Sequence, residues 1–266
     1  MDHTELYHLY EAIKCNKLGC ARSQLDEYNL ESDALQKVGI SMLQKCCRAG
    51  HIHGAEFLAK VFKMTPDSAR ADDNIILREA CSASNFTVAS WVVGKFSLTT
   101  DDARACDNQA LRTAYEEGNM KAVNWLQAEF DLTASDARSR DNEILRTVCR
   151  KSYLPIAEML IGSFDLTTED ARACDNEALR DACDRGHLDV AKWLTKTFRL
   201  TAEDARACGN EALRTACEHY DVCVAKWLVQ TFGLTVDDAG GDQFTDKQLR
   251  LKVFGPAADA SSPRHV

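Results

Sequence analysis

Cys174 to Ala207 reads CDNEALRDACDRGHLDVAKWLTKTFRLTAEDARA, and the placement of its apolar residues decides the fold. Ala178, Leu179, Ala182 and Cys183 fall at i, i+1, i+4 and i+5, one face of a helix. Asp175-Asn176 stands before them as an N-cap signal. Gly186 sits where a helix end needs a residue that tolerates left-handed backbone. Leu188, Val190, Ala191, Trp193, Leu194 and Phe198 then give a second helix a broad apolar side. Thr201 followed by Asp204 is the capping-box pattern, which predicts a short third helix. Pro155 and Pro66, in the second and third segments of other units, fall in a first helical turn, where a missing N–H costs nothing. No stretch alternates with period two, so the chain is expected to be all-α.

The same pattern recurs along the chain. Asn74, Asn108, Asn142, Asn176 and Asn210 are each 34 residues apart, and Arg78 to Arg214 and Phe62 to Phe232 keep the same step. So do Trp91, Trp125, Trp193 and Trp227, with Met159 in place of the missing Trp. A fixed period of this size marks a solenoid, in which each unit buries its apolar face only against its neighbours. The expected architecture is an α-solenoid of six to seven stacked 34-residue helix-turn-helix units, each with a short third segment. Residues 1–37 read as a degraded capping unit that keeps Leu9, Ala12, Tyr28 and Leu30 at core positions, while Ser23 replaces Trp. Residues 38–241 form the array, 242–254 a C-terminal capping helix, and the Pro/Ser/Ala-rich residues 255–266 a disordered tail.

ALRDACDRGHLDVAKWL resembles the core of the ankyrin repeat, a first helix ending in Gly-His followed by a second helix of V-x-x-L type. The family's Thr-Pro-Leu-His opening is Glu177-Ala178-Leu179-Arg180 here, and L-T-x-x-D-A-R stands where the family has its β-turn finger. In texture the array is similar to divergent ankyrin-like proteins of giant DNA viruses and amoebal protists. That resemblance implies a protein-binding scaffold in the cytoplasm, or in a host cell's cytoplasm or nucleus. The tetratricopeptide repeat shares the period, but its W-x-x-L-G-x-x-Y opening is missing.

Composition bounds the function. Apolar residues make up 45% of the 266, enough for a continuous core, and a net charge of -9 disfavours polyanionic partners. No apolar run reaches the length of a membrane helix, so the chain reads as soluble and intracellular. The 12 Cys fit that compartment. Cys47, Cys81, Cys149, Cys183 and Cys217 share one repeat position, Cys106, Cys174 and Cys208 a second, and both ladders are expected as small buried apolar groups.

Catalysis needs convergent, non-repeated groups, and the chain has no glycine-rich phosphate loop, no G-x-S-x-G and no H-E-x-x-H. The acid pairs Asp101-Asp102, Glu169-Asp170, Glu203-Asp204 and Asp237-Asp238 recur with the period and read as first-turn acids favoured by the helix dipole. Cys46, Cys47, His51 and His53 have the ligand types of zinc, yet Cys47 belongs to the core ladder and His51 to the helix junction. No metal, cofactor or catalytic residue is expected. The Arg78 and Arg70 ladders read as glue between units, bonding loop carbonyls and acids.

Variation within the fixed frame points to binding. Two successive first-helix positions read Glu116-Glu117, Arg150-Lys151 and Asp184-Arg185, with no common chemistry. These six residues are the expected contact surface for another protein. A regulatory subunit that holds a catalytic partner is the competing reading, with nucleic-acid binding through the Arg ladders a third.

Overall fold

In a computed structural model, residues 3–28, 32–82, 86–241 and 246–256 are described. They contain nineteen α-helices and, among the described residues, no strand. The chain divides into two compact units, residues 1–137 and 138–266. The first holds α1 His3–Lys14, α2 Leu18–Leu25, α3 Asp33–Arg48, α4 Ile52–Val61, α5 Pro66–Ser82, α6 Phe86–Phe96, α7 Thr100–Ala103, α8 Ala105–Glu116, α9 Met120–Phe130 and α10 Ala134–Ala137. The second holds α11 Ser139–Arg150, α12 Leu154–Phe164, α13 Thr168–Ala171, α14 Ala173–Asp184, α15 Leu188–Phe198, α16 Ala202–Ala205, α17 Ala207–Glu218, α18 Val222–Phe232 and α19 Lys247–Phe254.

Contacts run between neighbours in sequence. In the first unit α5 lies between α3 and α8, and α6 meets both α4 and α9; in the second, α14 lies between α11 and α17. The cores follow the apolar pattern. Ala178, Leu179, Ala182 and Cys183 are buried, as are Val190, Ala191, Leu194 and Phe198. Every Phe from Phe62 to Phe232 in the ladder is buried. At the amino end Leu9 is fully buried, with Ala12 and Tyr28 half-buried, while Leu30 lies outside the described residues. At the other end α19 packs on α18 through Leu249 and Val253, and Asp246 caps it by accepting from Leu249 N–H at 2.9 Å. Thr245 and the expected tail beyond 256 lie outside the described residues.

Three expectations need correction. First, Asp175-Asn176 is not an N-cap. Cys174, Asp175 and Asn176 all take left-handed backbone, with φ of 52°, 56° and 59°, and the right-handed helix resumes after them. The same left-handed triplet occurs at Asp72–Asn74, Cys106–Asn108, Arg140–Asn142 and Cys208–Asn210. Asp and Asn are the non-glycine residues that best tolerate this region, so the residue types that signalled a cap serve a reversed turn instead. Asn176 N–H donates to Arg172 C=O at 3.1 Å, closing the turn.

Second, the two thiol ladders part company. Cys47, Cys81, Cys149, Cys183 and Cys217 are buried, but Cys106, Cys174 and Cys208 are exposed. The second ladder opens the left-handed bend, where its side chains stand exposed. Burial pushes the Cys81 thiol up to about 12 and that of Cys217 to about 11.

Third, Trp193, read with Phe198 as part of the apolar side that neighbouring units bury, is only half-buried, as are Trp91, Trp125 and Trp227. Each leans edge-on against the Phe five residues later on its own helix; Trp193 and Phe198 have ring centres 6.1 Å apart at 83°. The Phe fills the core and the Trp covers it.

Candidate protein-interaction surface

The frame that presents the variable residues is built from two arginine ladders. In the short third helices Thr201 N–H and Oγ1 both donate to Asp204 Oδ2, at 2.7 and 3.0 Å, completing the capping box. The same carboxylate receives a fork from one period earlier, Arg172 Nε to Oδ1 at 2.7 Å and Nη2 to Oδ2 at 3.2 Å. Arg70–Asp102, Arg104–Asp136, Arg138–Asp170 and Arg206–Asp238 repeat this bidentate pair. Burial pushes each of these carboxyls up, but the Arg fork and the Thr donors outweigh it and hold them below the ordinary carboxylate range. The second acid of each pair is therefore more than a dipole partner. It joins one unit to the next.

The second ladder holds the left-handed turn. Arg180 Nε donates to Asp175 C=O at 2.9 Å and Nη2 to Cys174 C=O at 3.0 Å, while Nη1 pairs with Glu211 of the next unit. Arg146 does the same for Asp141 and Arg140, and reaches Glu177 at 2.6 Å. Arg78 donates to Asp72 C=O and Arg112 to Asp107 and Cys106 C=O. Carbonyls that a left-handed turn would leave without partners are thus satisfied by a side chain from the following helix. Loop carbonyls and an acid of the next unit are the partners expected of this ladder; the handedness of the turn it holds leaves no mark on the apolar pattern.

Against this frame stand the first-helix ends. In the first unit Glu116 and Glu117 close α8 and are both exposed. In the second unit Lys151 and Arg185 are exposed, while Arg150 and Asp184 are half-buried and tied into the stack. Arg150 Nη1 lies 3.7 Å from Asp181 and its Nη2 donates to Thr147 Oγ1 at 3.1 Å. Its carbonyl is met by His187 Nε2 at 3.1 Å, and Asp184 C=O by His219 Nδ1 at 3.0 Å. In the first unit Asn119 Nδ2 donates to Cys81 C=O at 3.1 Å from the equivalent junction. Asn119 and His187, each just before a second helix, and His219, at the end of α17, thus fix the end of the first helix one unit back. Gly186 is required there: its φ is +72°, and a Cβ would lie 2.5 Å from the Asp221 carboxylate that caps α18.

A second-helix position also varies with the 34-residue step, reading Ser90, Asn124, Glu158, Lys192 and Lys226, and all five are exposed. Exposure alone does not separate the two faces. Cys46 and Cys47 lie in the core, and burial pushes Cys46 up to about 12, while His53 is exposed beside Glu56 at 3.5 Å. No group of three metal-ligating side chains converges among the described residues. No described helix is long and apolar enough to cross a membrane. No protein-family model matches the chain, and no curated protein matches it in sequence.

Proposed function

We propose that the chain is an ankyrin-like array of six to seven 34-residue units that acts as a non-catalytic scaffold. It binds another protein through the ends of its first helices. One observation carries this reading. Positions that recur unchanged are engaged in core or glue, whereas Glu116-Glu117, Arg150-Lys151 and Asp184-Arg185 change sign from unit to unit, the last two pairs on helix ends whose carbonyls are met by His187 and His219. A rigid display of varied side chains binds at little ordering cost. Acidic, basic and mixed charges in succession suit the mosaic surface of a folded protein better than a polyanion.

The pairing of the Asp-Ala-Arg guanidiniums with carboxylates argues against a basic groove for nucleic acid, since those forks are already filled. Twelve free thiols suit a reducing cytoplasm.

The test is charge reversal at exposed residues of the proposed surface. Arg150 is half-buried against Asp181, so the reversals are made at the exposed neighbours, Lys151→Glu with Arg185→Glu. Partners crosslinked to the intact chain in cells and identified by mass spectrometry should be lost from this double variant and kept by Lys192→Glu. Loss from the Lys192→Glu variant alone would move the site to the second helices.

A further inference from the structure

Some junctions between first helices carry a cross-unit ion pair near the helix ends. Arg48 of α3 meets Glu79 of α5 at 3.4 Å, and Arg150 of α11 meets Asp181 of α14 at 3.7 Å. One period before Arg48 and Glu79 the sequence has Lys14 in α1 and Lys45 in α3, so a lysine takes the place of the acid. Lys14 turns to Glu11 of its own helix at 3.2 Å. Lys45 makes no ion pair among the described residues; its ammonium lies 5.6 Å from the centre of the Tyr10 ring.

Beside this ammonium, Leu6, Tyr7 and Tyr10 of α1 and Val38 and Met42 of α3 line a groove of about 290 Å³. Tyr7 is 61% exposed, the largest apolar surface left open on α1. An aromatic-walled groove and an unpaired cation make a complementary pair of demands, an apolar side chain for the walls and a carboxylate for the lysine.

We propose that the α1–α3 groove docks a short segment of a partner protein that presents an aromatic or long aliphatic side chain with an Asp or Glu close by in sequence. The apolar group enters between Tyr7 and Met42 and the carboxylate pairs with Lys45. This rests on the reading of the chain as a protein-binding array, but concerns a different surface from the variable helix ends.

A phage-displayed library of linear peptides, panned against the full chain, tests it. Enriched peptides should combine an apolar anchor with a nearby acid, and a synthetic member should bind with a measurable Kd by fluorescence anisotropy. Lys45 is exposed, and Lys45→Glu places there the acid that Glu79 supplies one period later, so the fold should be kept. This variant should weaken the peptide about tenfold or more. Tyr7→Ser, on an exposed side chain, should weaken it as well. Lys151→Glu with Arg185→Glu should leave it unchanged. Failure to enrich acidic peptides, or equal binding by the Lys45→Glu and Tyr7→Ser variants, overturns the proposal. So does sedimentation showing a dimer that Tyr7→Ser dissolves, which would give the groove to a second copy. Loss of binding only in the Lys151/Arg185 variant would remove the groove and leave the scaffold reading standing.

Discussion

The recurring Asn is explained by its backbone. Asn74, Asn108, Asn142 and Asn176 are buried and end a left-handed triplet, and their side-chain oxygens accept no hydrogen bond from the protein. What selects Asn is its tolerance of positive φ, where an ordinary residue costs about 1–2 kcal/mol. The fifth unit supports this, since Gly209 occupies the middle left-handed position with open space where a Cβ would stand. Asn176→Ala should therefore cost about 1–2 kcal/mol, while Asn176→Gly should lie within about 0.5 kcal/mol of the parent. Urea unfolding measures both. If Gly costs as much as Ala, the Asn side chain itself is doing the stabilising.

The short third helices respond to pH. In α16 the Asp204 carboxylate takes two donors from Thr201 and a fork from Arg172, and its pKa is held below the ordinary value. A carboxyl depressed in the folded state binds fewer protons there than in the unfolded chain. Its contribution is therefore complete above the unfolded pKa near 4 and disappears as pH falls through the folded value. Asp102, Asp136, Asp170 and Asp238 share the shift, so the slopes add. The urea midpoint should be flat from about pH 7 to 5 and drop steeply below about 4. Asp204→Asn should lower stability at pH 7 by about 1–3 kcal/mol and make the acid-side slope shallower. An unchanged slope would mean that this carboxyl titrates normally.

On the scale of the whole molecule, packing between sequence neighbours makes stability local. Phe198 is buried and Trp193 only covers it, so Phe198→Ala should cost about 3–5 kcal/mol and Trp193→Ala clearly less. Because α14 and α15 pack on neighbouring helices of their own unit, the damage should spread outward from its site within that unit. Hydrogen exchange followed by mass spectrometry should show Phe198→Ala releasing protection in α14, α15, α17 and α18 while α3 to α6 keep theirs. Uniform loss across both units would show a single cooperative fold instead.

Helix identity, the 34-residue step, the burial of Leu179, Phe198 and Cys183, and the Thr201–Asp204 cap were legible in the residues, because each depends on contacts within a few positions or on a pattern repeated five times. The candidate surface was legible only as variation at Glu116 to Arg185, since exposure does not rank one variable position above another. Three features waited for the tertiary structure. Asp and Asn favour both N-caps and left-handed turns, so composition could not say that Cys174–Asn176 reverses the helix and exposes its thiol. Trp193 is as apolar as Phe198, and only the neighbouring helices decide which ring is enclosed. Lys45 is one lysine among many until folding sets its ammonium over the Tyr10 ring, at the edge of the α1–α3 groove. Local pattern determined the elements; partner choice across 31 or 32 residues, which no local preference encodes, decided what those elements leave open.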